Sequence, residues 1–182
     1  MPTPKDCQHV VLLDASTIML VHSAGRHRLQ RDRGYLGLRD EWREVAPMLT
    51  PRAEESLAAL NGRVYAAGGY SLLVAEGDPL TSVEAYDPLC NAWSAVAPLP
   101  LGLSGAVMVA CGGRLFLFGG GSPEERGCSF SYDPATDTWT KLHDMPTRHW
   151  SFDPPVACAA PNGLIFVLGT SGGSVLGARR CV

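Results

Sequence analysis

The sequence has little of what a nucleic-acid binder, a membrane protein or a familiar hydrolase requires. Its net charge is −3 with only 18% charged residues, so there is no electrostatic case for nucleic acid as a partner. The longest apolar runs, such as Leu115–Phe118, are far too short to span a bilayer. The first residues carry Lys5 and Asp6 and no apolar core, unlike a secretory leader. The six cysteines (7, 90, 111, 128, 158 and 181) form no Cys-x-x-Cys pair. Most lie in apolar runs, where a reduced, buried thiol is the ordinary reading. Cys181 is second from the end, so a four-residue prenylation motif is absent. A cytoplasmic or nuclear protein, with no membrane partner, is expected.

Catalytic constellations are also scarce. Gly119-Gly120-Gly121-Ser122 lacks the lysine and the helix of a phosphate-binding loop, and no Gly-x-Ser-x-Gly occurs. His22 and His27, like His143 and His149, lack spacing diagnostic of a metal site. The expectation is no catalytic residue, no metal, no cofactor, and no enzyme.

What is present is repetition. Tyr86-Asp87-Pro88 is followed by Asn91 and Trp93, and Tyr132-Asp133-Pro134 by Asp137 and Trp139, each position 46 residues from its counterpart. Upstream of each copy an apolar run closes on a diglycine, Gly68-Gly69 and Gly119-Gly120. Self-similarity at about 40–50 residues, built of strand-like pieces, marks a solenoid or propeller. With 14 prolines and 20 glycines punctuating short apolar runs, an all-β protein is expected.

Each unit reads as four short strands. In the second, strand a covers about 56–60, Asn61-Gly62 makes a two-residue hairpin turn, and strand b covers about 63–67. The diglycine then ends strand b where the backbone turns sharply or approaches a neighbour. Strand c ends at Tyr86, Asp87-Pro88 opens a tight turn, and Asn91 suits a left-handed conformation. Trp93 starts strand d. The third unit repeats this around Gly112-Gly113, with strand c near 128–132 and strand d from Trp139. At the front, 9–13, 18–22 and 35–38 are strand candidates, and Trp42 starts a strand d. At the back, 156–160 and 164–168 flank Asn162-Gly163 and give strands a and b alone. The resulting units are 8–46, 56–97, 105–143 and 155–182.

This ordered set resembles the kelch repeat: strand, turn, strand, diglycine, loop, Tyr-Asp-Pro, then Trp six positions after the Asp. The repeat positions are Trp42, Gly68, Gly69, Tyr86, Asp87, Trp93, Gly119, Gly120, Tyr132, Asp133 and Trp139. Glu84 and Tyr86 beside Asp87-Pro88, and Trp42-Arg43-Glu44-Val45-Ala46-Pro47-Met48, look most like the kelch regions of BTB–kelch proteins. The resemblance implies a β-propeller of four-stranded antiparallel blades with strand a lining the channel. Here about 3.5 blades are expected, with the ring not closed. Trp93 and Trp139 would be the main wedges between blades. The reading is a fragment or splice product of a larger protein, with two half-rings pairing as an alternative.

The function implied is a protein-binding module from a substrate adaptor of a cullin-type ubiquitin ligase. The ligase would be reached only through regions absent from this sequence. An actin-associated role, a non-functional truncated isoform, and a kelch-like enzyme such as a copper oxidase remain alternatives. In this family the b–c and d–a loops share one rim that binds a protein or peptide ligand. The rim candidates are Arg26 and Arg28 in an arginine-rich segment, and Arg52 in a Pro-Arg step. Tyr70 opens a long b–c loop over 70–81, which also carries Glu76 and Asp78. Arg126 lies in the next b–c loop, and Arg148, His149 and Trp150 in a long d–a loop. Guanidinium groups pair well with carboxylates, and Trp and Arg are enriched at binding hot spots.

Overall fold

The computed structural model describes residues 9–14, 17–22, 33–38, 41–71, 73, 77–120, 127–145, 155–168 and 175–180. These form only β structure. The strands are β1 His9–Asp14, β2 Thr17–His22, β3 Arg33–Leu38, β4 Glu41–Val45, β5 Arg52–Ala53, β6 Ser56–Leu60, β7 Arg63–Ala67, β8 Tyr70–Ser71 and β9 Val83–Asp87. They continue with β10 Ala92–Val96, β11 Val107–Cys111, β12 Arg114–Phe118, β13 Ser129–Asp133, β14 Thr138–Lys141, β15 Val156–Ala159, β16 Leu164–Leu168 and β17 Val175–Arg180. Three antiparallel sheets have four strands each, β1–β4, β6-β7-β9-β10 and β11–β14, and β15–β17 form a three-stranded sheet. The first strands of the sheets stand side by side: β6 lies between β1 and β11, and β11 between β6 and β15. This is the blade arrangement of an open propeller with strand a innermost.

Two features depart from the sequence-based expectation. The last blade has three strands, because Val175–Arg180 pairs antiparallel with β16. That stretch carries neither Tyr-Asp-Pro nor tryptophan, so nothing in its motif content marks it as strand c. The turn before β16 also differs from its siblings. Asn61 and Gly62 both have positive φ, 52° and 74°, as a type I′ hairpin requires. In the last blade Gly163 alone is left-handed, at φ 77°, and its N–H bonds to the Ala160 carbonyl. Pro161 locks its own φ near −65°, so a turn with Pro161 and Asn162 at its centre replaces the expected Asn162-Gly163 turn.

The core lies between blades. Val64 and Ala66 of β7 join Val11 and Met19 of the first blade in one apolar cluster. Their neighbours Tyr65 and Ala67 join Leu115, Leu117 and Phe130 of the third blade in another. Phe116 and Phe118 face the last blade, against Ile165 and Val167. Side chains alternate across a strand, but both sheet faces are covered. This is why 115–118 is apolar without a polar alternate.

The diglycine marks the closest approach. Gly68 and Gly69 have φ 67° and 85°. A Cβ on Gly68 would strike the Leu103 carbonyl, and one on Gly69 the Ala53 carbonyl. The Gly69 N–H donates to the Leu103 oxygen at 2.7 Å. Among the described cysteines, the expectation of a buried, reduced thiol holds for Cys128 alone. Cys90 and Cys158 are free but exposed, and Cys111 is disulfide-bonded.

Candidate functional site

The second and third blades are each tied to the one before by residues at the start of strand d. Asn91 and Asp137 adopt left-handed φ of 49° and 50°, which turns their side chains back across the hairpin. The Ala46 N–H donates to Asn91 Oδ1 at 3.0 Å, and the Trp93 indole N–H donates to the Ala46 carbonyl at 3.0 Å. One blade on, the Ala97 N–H donates to Asp137 Oδ1 at 2.9 Å and Trp139 donates to the Ala97 carbonyl at 2.9 Å. Thus both backbone groups of one residue at the end of strand d are taken up by the next blade. Tyr86 and Tyr132 complete the clamp, donating to Asn91 and Asp137 at 2.8 and 2.7 Å. Their rings sit 5.4 and 5.0 Å from those of Trp93 and Trp139. The Ala97 N–H, and then the Tyr132 hydroxyl, hold the Asp137 carboxyl below its ordinary range. Burial, then the bond to Asp137, pushes the Tyr132 hydroxyl up.

On the opposite side of each hairpin Asp87 and Asp133 accept from the N–H two residues ahead, Leu89 and Ala135, each at 2.9 Å. They also pair with Arg63 and Arg114 at 2.9 Å. The Asp-Pro step is therefore an Asx turn with a repeated, solvent-exposed ion pair. The Leu89 N–H is the main reason the Asp87 carboxyl lies below its usual range.

The b–c and d–a rim is built around the second blade. The loop leaving β7 pairs at once with the connector from the first blade, Arg52 against Ser71 and Ala53 against Tyr70. It returns along the connector to the third blade. There the Leu99 N–H reaches the Thr81 carbonyl at 2.8 Å, and the Gly69 N–H the Leu103 carbonyl at 2.7 Å, while within the loop the Leu80 N–H reaches the Gly69 carbonyl at 2.7 Å. The loop is thus fastened to both neighbouring connectors, and Leu73, Gly77 and Asp78 are exposed beyond those roots. Leu49 and Leu101, one on each connector, are exposed beside it.

Arg52 is not a rim contact. It is 0% exposed, and its guanidinium reaches the carbonyls of Gly68 and Ser82 at 3.0 and 2.9 Å and Ser82 Oγ at 3.0 Å. It also forms an ion pair with Glu84. Glu84 Oε2 accepts from the Leu49 N–H at 2.7 Å and Oε1 from the Thr50 N–H at 3.0 Å. A guanidinium with so many internal acceptors has no geometry left for an external carboxylate. Tyr70 is half-buried at the loop root. Arg26, Arg28, Arg126, Arg148, His149 and Trp150 lie outside the described residues, as does Glu76. Sequence reasoning assigned Glu84 no role in the site. The signal available was a carboxylate between Val83 and Ala85 on a strand buried on both faces, where a charge requires a partner.

Among the described residues no group of three His, Cys, Asp or Glu side chains is placed to hold a metal. No helix there is long and apolar enough to cross a membrane.

The Kelch motif matches residues 51–100 and 102–146, just over half of the chain. Kelch-like protein 25 of Xenopus tropicalis is 34% identical over 142 residues, covering 74% of this chain and 23% of that protein. Kelch-like protein 35 of Mus musculus is 36% identical over 107 residues, covering 58% of this chain and 18% of that protein. The chain therefore spans about a fifth of the length of these curated relatives. The solved structure of YjhT superposes with a TM-score of 0.70 at 18% identity, covering 99% of this chain and 66% of that one. It speaks for the fold alone. The motif matches fall on the two blades in which the clamp is described, and on this evidence the chain belongs to the kelch-repeat family.

Proposed function

We propose that this chain contributes a protein-recognition rim to a substrate adaptor of a cullin-type ubiquitin ligase, with the ligase contacted by regions outside this sequence. The adaptor role is carried over from the family resemblance, and the cytoplasmic or nuclear location from the sequence pattern of cysteines and apolar runs. The observation that supports recognition is the loop 70–81 of the second blade. Its roots are fastened to two connectors, while Leu73 and Asp78 stand exposed beyond them. Loops held on a rigid scaffold are where binding residues concentrate. Arg148 and Trp150 of the long d–a loop are proposed as the second contact, offering a guanidinium for an acidic peptide and an indole for an apolar side chain.

The test is selection of a random dodecapeptide library on the intact chain, followed by affinity measurement of the enriched peptides on variants. Leu73→Ala/Asp78→Ala and Arg148→Ala/Trp150→Ala are each expected to weaken binding by about tenfold or more. Equal affinity for both variants and the parent chain would remove the rim as the recognition surface.

A further inference from the structure

We infer that the partner segment held by the second blade's rim is basic and anchored by apolar side chains: an extended stretch of protein in which Lys or Arg adjoins Leu- or Phe-like residues. This rests on the rim being the recognition surface, and it names the chemistry that surface takes there. The apolar half of the argument is a matter of where exposure falls. Seven large apolar side chains are exposed among the described residues. Leu12, Val156 and Leu168 lie on the outward faces of the first and last sheets, out of phase with Val11 and Val167, which pack inward. Leu89 stands alone on a hairpin turn. The other three, Leu49, Leu73 and Leu101, are 60%, 70% and 42% exposed, and all border one loop. The sheets beneath them are covered by neighbouring blades, so an open sheet face does not account for them. Single exposed leucines are ordinary on a surface, whereas a group of three around one loop marks an interaction site.

The backbone gathers these residues with two carboxylates. Ser71 pairs with Arg52 of the first connector, and its Oγ accepts from the Leu73 N–H at 3.2 Å. Leu49 belongs to that same connector. On the second connector, the residues flanking Leu101 are tied to the loop: the Leu99 N–H to the Thr81 carbonyl at 2.8 Å, and the Leu103 N–H to the Leu80 carbonyl at 3.4 Å. A Cβ on Gly102 would strike the Pro79 carbonyl, so Leu101 rides beside the segment that Asp78 leads into. The Gly105 N–H donates to the Glu54 carbonyl at 2.9 Å and joins the two connectors. The charge here has one sign. The loop 70–81 carries Glu76 and Asp78 and no basic residue. The connector segments 46–55 and 97–106 carry Glu54, Glu55 and a single cation, Arg52. That cation is buried in its ion pair with Glu84 and presents nothing outward, whereas Glu54 and Asp78 are exposed. A negative potential over apolar surface attracts a basic segment and repels an acidic one of equal apolar content. The aliphatic stems of Lys and Arg can lie along the leucines while their charged ends reach the carboxylates. Arg148 favours the opposite charge, so the basic stretch is assigned to the second blade alone.

Three synthetic dodecapeptide pools test this. All share the same Leu and Phe positions, and their remaining positions are filled with Lys and Arg, with Asp and Glu, or with Gln and Ser. Binding of each pool to the intact chain is followed by fluorescence anisotropy. The basic pool is expected to bind at least about tenfold more tightly than the acidic one, with the gap narrowing as salt is raised from about 0.05 to 0.5 M. Asp78→Lys should shrink or reverse the order of the two charged pools. Leu49→Ser/Leu101→Ser should weaken all three pools alike. Should Asp78→Lys not fold, Asp78→Asn makes the same test with half the change in charge. Equal affinity for the basic and acidic pools, tighter binding of the acidic pool, or binding of none would overturn the inference. So would an order of affinities that Asp78→Lys leaves unaltered, since the basic stretch would then be held elsewhere. Failure of the rim reading is separate: the pool that binds best would keep its full affinity on both Leu73→Ala/Asp78→Ala and Arg148→Ala/Trp150→Ala. If those variants weaken binding while the charged pools bind equally, the rim stands and its proposed preference for basic segments falls.

Discussion

Trp93 donates its indole N–H to the carbonyl of Ala46, a residue of the preceding blade, at 3.0 Å. The indole therefore does two things at once. It fills the apolar space between two sheets, and it satisfies a strand-end carbonyl that has no partner in its own ladder. Burial of an indole, roughly 200 Å² at about 25 cal/mol per Å², is worth at most about 5 kcal/mol.

Trp93→Ala should then cost about 3–5 kcal/mol, a large share of a stability margin of about 5–15 kcal/mol. Trp93→Phe keeps much of the apolar contact but leaves the Ala46 carbonyl unpaired, and should cost about 1–3 kcal/mol. Trp139→Ala should cost less than Trp93→Ala, because Trp139 is only half-buried. Chemical denaturation midpoints of the three variants provide the check. Equal losses at Trp93 and Trp139 would mean that burial does not set the cost.

Gly68 and Gly105 separate two reasons for glycine. Both have positive φ, 67° and 60°, so alanine is strained at either by about 1–2 kcal/mol. At Gly105 a Cβ meets nothing, whereas at Gly68 it meets the Leu103 carbonyl. Gly105→Ala should therefore lose only the conformational cost. Gly68→Ala should lose that and about 1–3 kcal/mol more from overpacking. Glu54 occupies the position equivalent to Gly105, with the same φ of 60°, so the connector tolerates a side chain there. The difference between the two alanine variants is the informative quantity, and a difference near zero would contradict the close approach.

The repeat was legible because its elements are local. Asn61-Gly62, Gly112-Gly113 and the residues around Tyr86 and Tyr132 each specify a turn or a strand within a few positions. The ladder registers followed from them, Trp93 opposite Tyr86 and Trp139 opposite Tyr132. What was not legible depended on distant partners. Arg52 looks like any surface arginine after a proline until Glu84, 32 positions on, is placed beside it. The two-residue strands β5 and β8 exist only because the connector and the loop meet, and neither has a pattern of its own. Val175–Arg180 pairs with β16 without any motif to announce it.

Glu84 sits 2% exposed beside Arg52, and its charge is matched rather than merely tolerated. Glu84→Gln should cost about 3–5 kcal/mol, because it leaves a buried guanidinium without its counter-charge. The same logic in reverse applies to Phe130→Glu, which would bury a carboxylate opposite Leu103 with no cation. It should be at least as severe. Urea denaturation of both variants measures this. A loss below about 1 kcal/mol for Glu84→Gln would show that the pair behaves like a surface salt bridge.

The clamp is chemically different in successive blades, and this makes one of them sensitive to acid. Asn91 and Asp137 accept the same two bonds, but only Asp137 ionises. Its folded carboxyl titrates below the ordinary value because the Ala97 N–H and the Tyr132 hydroxyl bond to the ionised form. A depressed folded value means that the contribution is present above the unfolded value of about 3.9. It is lost as the pH falls through the folded value. Asp137→Asn keeps the acceptor oxygen and removes the titration. The variant should be somewhat less stable than the parent chain at pH 7, where the charge-assisted bonds are intact. The gap should close as the pH is lowered from about 5 towards 2. Asn91→Asp should create the opposite trend, adding a pH-dependent term to a clamp that has none. Denaturation midpoints of the three proteins across this range decide the matter, and a gap between Asp137→Asn and the parent that stays constant with pH would show that the carboxylate's charge adds nothing to the clamp.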